Sequence, residues 1–138
     1  TDFAFRSFAI PAGTPMANEL RRTISSAADV EVVGRQLPVD QAQVVLDLLA
    51  ELREKVVVGL NASGQVREFQ LRSIVRFRLR TPQGRELIPE TELVQQRDIS
   101  FNESAVLAKE AEETLLYRDM QTDLVQQLMR RLAAVKSV

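Results

Sequence analysis

Six arginines crowd one stretch of this chain, at positions 67, 72, 76, 78, 80 and 85, against a single acid, Glu68. A guanidinium presents a planar fork of donors that matches phosphate and carboxylate oxygens. The chemistry on offer is therefore anion binding. Arg72, Arg76, Arg78 and Arg80 share one parity with Gln70, while Phe69, Leu71, Val75, Phe77 and Leu79 share the other. In a strand that alternation puts four arginines on one face and the apolar residues on the opposite one. Part of the row has a plain structural use. If residues 81–85 form a five-residue loop, Arg80 opposes Glu86 and Arg76 opposes Glu90, as ordinary cross-strand pairs. Arg67 and Arg72 have no acid placed to meet them and are freer to bind a ligand.

A second group of charges opens the C-terminal helix. Lys109 stands in its first turns, where the helix dipole prefers acids. The ordinary explanation is pairing with Glu112 or Glu113, three and four residues on. Glu110, Glu112 and Glu113 read as a solvated, dipole-matched cluster rather than a metal site. The chain has no histidine and no cysteine. That removes the usual general base, the commonest transition-metal ligands and any disulfide. Asn61-Ala62-Ser63-Gly64 has neither the pattern of a phosphate loop nor that of a nucleophile elbow. Tyr117 is placed in the core with its hydroxyl at the rim. No residue set builds an enzyme, and no cofactor is implied.

Those charges need elements to hold them. Leu107 to Val135 reads as one amphipathic helix with Tyr117, Met120, Leu124, Leu128, Leu132 and Val135 along one side. Ahead of it, Phe3 to Ile10 reads as a strand, and Thr14-Pro15 as an N-cap with a first-turn proline. A short helix follows to about Ala28, and Val30 to Gly34 forms a brief extended piece before a loop at Pro38 and Asp40. Val44 to Leu60 admits two readings. Its even positions are nearly all apolar, which argues strand. Ala42, Val45, Leu49, Leu52 and Val56 also fit a helix. The strand is preferred because it runs into Val56-Val57-Val58 and a turn. Val66 to Arg80 is the firmest strand, Thr81-Pro82-Gln83-Gly84 a second turn, and Glu86 to Arg97 a strand in which Pro89 marks an edge or bulge. The expected fold is α+β, order β-α-β-β-β-α, with two helices on one face of a roughly four-stranded sheet and the arginine face left open.

The 138 residues make one domain of ordinary composition, 45% hydrophobic and 27% charged. The net charge of −1 gives no bulk attraction to nucleic acid or to an anionic membrane. A base-stacking RNA sheet would expose aromatics, and Phe69 and Phe77 fall on the buried parity. No run is long enough to span a bilayer.

One family fits these residues. The segment VLAKEAEETLLYRDMQTDLVQQLMRRL, from Val106 to Leu132, resembles the closing helix of the lipopolysaccharide-assembly lipoproteins, the E component of the lipopolysaccharide transport machinery. LNASGQVREFQLRSIVRFRLRTPQG, from Leu60 to Gly84, resembles the family's central hairpin, and the strand and helix from Phe5 to Ile24 agree. The resemblance implies a non-enzymatic protein on the periplasmic side of the outer membrane. It implies a plug and assembly partner for the large β-barrel of the D component, and lipopolysaccharide as ligand. It implies a lipidated N-terminal cysteine as the only membrane contact; this chain has none, so the anchor is expected ahead of Thr1. The lysine of the LAKE segment matches Lys109. The family's hairpin-tip cation falls near Ala62, which is not basic; Arg67 is the nearest substitute, with Arg72 as helper. A periplasmic protein-interaction domain without lipid binding is the alternative.

Overall fold

The alternating middle of the chain forms three long antiparallel strands. The computed structural model describes residues 3–27, 30–33 and 41–138. The elements run β1 (Ser7–Ala9), α1 (Pro15–Ala27), β2 (Glu31–Val32), β3 (Val44–Leu60), β4 (Val66–Arg80), β5 (Glu86–Ser100) and α2 (Val106–Ala133), with a 3-10 turn at Glu103–Ala105 before α2. The sheet has five strands in the order β2-β1-β3-β4-β5. β1 is parallel to both neighbours, and β3, β4 and β5 form an antiparallel meander. The fold is α+β as expected. The strand count is one higher, because Glu31 and Val32 pair with Ser7 and Phe8. The expected loop at Pro38 and Asp40 lies outside the described residues.

Local chemistry accounts for most boundaries. Thr14 Oγ1 accepts the Ala17 N–H, so the threonine caps α1 as its spacing implied. Gly64 and Gly84 hold φ of 78° and 100° in the two hairpin turns, a region that side chains disfavour. Asn61 Oδ1 accepts from the Ser63 and Gln65 N–H groups and locks the first turn. Phe3 and Phe5 are buried and stacked ahead of β1, so the N-terminal aromatics join the core although only Ser7–Ala9 enters the ladder.

The core lies between the helices and one face of the sheet. Leu20 and Ile24 of α1 and Leu124, Leu128 and Leu132 of α2 meet Leu46, Val75, Phe77 and Leu79 in one cluster. Burying each such side chain contributes about 1.5–3 kcal/mol. Gln121 Nε2 donates to Glu19 Oε1 at 2.9 Å and ties the two helices together.

β3 is one strand, which settles its ambiguous reading, but its two halves face different ways. Leu46 and Leu48 stand opposite Leu79 and Phe77, on the helix side. A register shift follows between Leu48 and Ala50. Beyond it Leu52 and Val56 oppose Ile74 and Gln70, on the arginine side, while Glu51, Arg53 and Lys55 oppose Val75, Ser73 and Leu71. A bulge inserts one residue and reverses every later side chain. The even-numbered apolar pattern, broken only at Glu54, therefore does not make one buried face.

Candidate functional site

The bulge in β3 sets the character of the distal half of the molecule. With Glu51, Arg53 and Lys55 turned toward the helices, the first half of α2 docks through polar groups. Lys55 Nζ is 2.9 Å from Glu113 Oε2 and lies 4.4 Å from the centre of the Phe69 ring. The Arg53 guanidinium stacks 4.9 Å from the Tyr117 ring centre. The Tyr117 hydroxyl donates to the Glu54 carbonyl at 2.9 Å. Arg97 on β5 pairs with Asp123 of α2. A small apolar cluster of Leu71, Ile99 and Met120 sits within this layer. Burial, followed by the Glu113 charge, raises the pKa of Tyr117, and Arg53 acts the other way.

Lys109 is placed where this layer ends. Its Nζ donates to Ser100 Oγ at 2.9 Å and to Glu112 Oε2 at 3.1 Å. The pairing with Glu112 is the i,i+3 contact that spacing implied; Glu113 instead serves Lys55. The serine at the end of β5 had no signal in the sequence as a partner. Ser100 stands opposite Glu68 in the β4–β5 ladder. Arg67 is the next residue on β4, and its carbonyl accepts the Phe101 N–H at 2.8 Å. Arg67 is exposed, and its guanidinium donates to Gln65 Oε1 at 3.4 Å. The fold thus brings Lys109 and Arg67, far apart in sequence, to the same end of the molecule. Ser100 and Glu112 accept from Lys109, and Gln65 accepts from Arg67. Ala62, at the hairpin tip, is exposed and adds no charge.

Arg72 is not part of that group. Five positions along β4 from Arg67, it shares the open face with Gln70 and meets Glu54 at 3.5 Å. The acid missing from the sequence reading is supplied by β3. Its Nε is buried without a hydrogen-bond partner.

The remaining arginines follow the structural reading with two corrections. Arg80 does oppose Glu86, but its guanidinium bonds Asp47 at 2.8 Å, and Arg78 bonds the same oxygen at 2.9 Å. Arg76 opposes Glu92 rather than Glu90, because the β4–β5 ladder skips from Thr91 to Ile88 around Pro89, which has no N–H to give. At Asp47 burial pushes the carboxyl upward. The hydrogen bonds and charges of Arg80 and Arg78 more than offset that, so its pKa ends below the ordinary value.

Among the described residues no group of three acids, histidines or cysteines is placed to hold a metal ion. No described helix is long and apolar enough to cross a membrane. The described residues make a two-layer α+β protein whose distal chemistry is a set of exposed and paired cations. The family follows from comparison: this chain belongs to the LptE family, described as lipopolysaccharide-assembly, whose model matches residues 1–132. It is a family of non-enzymatic assembly factors, and membership gives the chain a role in lipopolysaccharide assembly and a partner in the transport machinery.

Solved structures agree. An uncharacterized lipoprotein B from Nitrosomonas europaea, solved by NMR in solution, is 35% identical, with a TM-score of 0.83 over 96% of this chain and 84% of that one. The rare lipoprotein B of Shewanella oneidensis shares the fold at 19% identity, with a TM-score of 0.77 over 93% and 94% of the two chains. A minor lipoprotein of Acinetobacter baumannii does so at 20% identity, with a TM-score of 0.72 over 96% and 94%. Among curated proteins none matches this chain.

Proposed function

We propose that this protein is the plug and folding partner of the outer-membrane β-barrel that translocates lipopolysaccharide, and that it binds lipopolysaccharide at its distal end. Membership of the LptE family supports the partner class. The observation that carries the ligand site is the convergence of Lys109 and Arg67 on one end of the fold, beside the polar end of β5. Lipid A phosphates are dianionic ligands of the kind such cations bind, each charge-assisted bond contributing about 1.5–3 kcal/mol. Arg72 acts as a helper from the neighbouring face, at reduced strength because Glu54 already occupies it. The open arginine face meets the polar lumen of the barrel. The native protein is a lipid-anchored, single-domain component on the periplasmic side of the outer membrane.

Co-purification of the native protein from outer membranes tests the partner: a stable one-to-one complex with a large barrel is expected, and recovery alone in soluble extract refutes it. Charge reversal at Lys109 and Arg67 tests the ligand site. Binding to purified lipopolysaccharide should weaken while circular dichroism stays unchanged. Unaltered binding removes the site assignment and leaves the barrel partner standing.

A further inference from the structure

The two outer strands of the long meander differ in how their free edges are protected. β5 carries Pro89 with Glu86, Glu90, Glu92, Arg97 and Asp98, and proline and charge are the usual guards of an exposed edge. β3 pairs with β1 only at Val44 and Val45. Among the described residues, no strand covers its outer edge beyond that point. Its far end, Val56-Val57-Val58-Gly59-Leu60, has no proline and no charge. Val56, Val57, Val58 and Leu60 are 41, 46, 50 and 62% exposed. Val58 also has no partner in β4, because the register shifts between Val57 and Gly59. A row of unpaired N–H and C=O groups beside consecutive β-branched side chains is a template for another strand.

We propose that this edge pairs with the same edge of a second copy of the chain, antiparallel and centred on Val57. The charges exclude registers centred on residues 53–55 and leave the apolar run, with Val57 in the middle of Val56-Val57-Val58. Centring on Arg53 or Lys55 stacks that residue on itself. Centring on Glu54 opposes Glu54 to Glu54 and Arg53 to Lys55, which costs energy in a cross-strand pair. Centring on Val57 opposes Val56 to Val58, Lys55 to Gly59 and Glu54 to Leu60, so no like charges meet. The contact is isologous, which closes at two copies. It concerns the chain away from its barrel and does not depend on the ligand site.

The absence of cysteine makes the test clean. Val57→Cys should form a disulfide-linked dimer under mild oxidation several-fold faster than Leu115→Cys, a control exposed on α2. A mixture of Val56→Cys and Val58→Cys should cross-link faster than either variant alone. The unmodified chain should sediment at twice the monomer mass as concentration rises, and Val57→Lys should lose that species while keeping its circular dichroism. Equal cross-linking of Val57→Cys and Leu115→Cys overturns the proposal. So does a monomer at every concentration, or growth beyond two copies. None of these results touches the co-purification test of the barrel partner.

Discussion

Lys109 is engaged before any ligand arrives, and this makes the effect of its neighbour calculable. Glu112 Oε2 lies 3.1 Å from its ammonium, and the two side chains are 48 and 24% exposed. An exposed pair three residues apart on a helix contributes about 0.3–0.5 kcal/mol. A phosphate must displace that carboxylate to take the lysine. Glu112→Gln should therefore tighten lipopolysaccharide binding by roughly twofold, the factor equivalent to that energy. Lys109→Ala removes the charge-assisted bond itself, worth about 1.5–3 kcal/mol, and should weaken binding by roughly 10–100-fold. In the double variant the gain from Glu112→Gln should vanish, because it acts only through Lys109. Ser100→Ala should weaken binding modestly, since it frees the ammonium from its aim without removing it. Titration of purified lipopolysaccharide at low and at physiological salt reads all four. A Lys109→Ala loss under twofold, or a Glu112→Gln gain that persists without Lys109, refutes the assignment of this lysine to the phosphate.

The structure carries three further expectations. Asp47→Ala should cost about 2 kcal/mol in urea unfolding at neutral pH, after discounting the partly exposed arginines that bond it. Because its folded pKa lies below 3.8, that contribution is complete above the ordinary carboxylate value and fades as pH falls through the depressed one; the variant and parent should converge in acid. Tyr117 is the only tyrosine, and no tryptophan is present, so phenolate absorbance reports it alone. Its midpoint should lie above 10.0, and Glu113→Gln should lower it. The neutral phenol's contribution to stability is full below 10.0 and should be lost as pH rises through that raised midpoint. Leu128→Ala, fully buried between helix and sheet, should cost about 2–5 kcal/mol, whereas Leu107→Ala, 81% exposed, should stay within about 0.5 kcal/mol.

What the sequence made legible followed from regular periods. Val66–Arg80 alternates except at Val66, Arg67, Ser73 and Ile74 and appears as β4 at those bounds, and the 3.6-residue stripe of α2 buries Met120, Leu124, Leu128 and Leu132 as expected. What it concealed came from irregularities of a single residue. The insertion at Leu49 leaves no mark, since leucine suits a strand and the alternation in residue number continues across it. Yet it turns Leu52 and Val56 outward and hands Arg53 and Lys55 to the helix layer. The shared partner of Arg78 and Arg80, Asp47, was hidden for the same reason, because it lies beyond the bulge from the hairpin, whereas Glu54, which meets Arg72, lies before it. Both acids come from β3, and that strand's register at Asp47 is invisible until the bulge is known. The site residues divide likewise. Lys109 pairs locally with Glu112, which spacing can find. Its contact with Ser100 and its approach to Arg67 depend on how β5 ends, which no local pattern records.

The bulge gives the molecule two unlike ends, and their division fits an assembly protein. On the side of Leu46 and Leu48, helices and sheet meet through a dry apolar cluster, the kind of contact that fixes one structure. On the side of Glu51, Arg53 and Lys55, the same helix is held by ion pairs, stacked cations and a tyrosine hydroxyl, around only a small apolar group. Such contacts are weak singly and are screened by salt. They hold cations in place without burying them, so an anionic ligand can compete for the lysine that Glu112 now holds. A continuous apolar core to the tip would have made a stiffer protein, but it would have left α2 no charged inner face to offer. The insertion of one residue in β3 is thus what places charged, salt-sensitive contacts at one end while the other end keeps the apolar core.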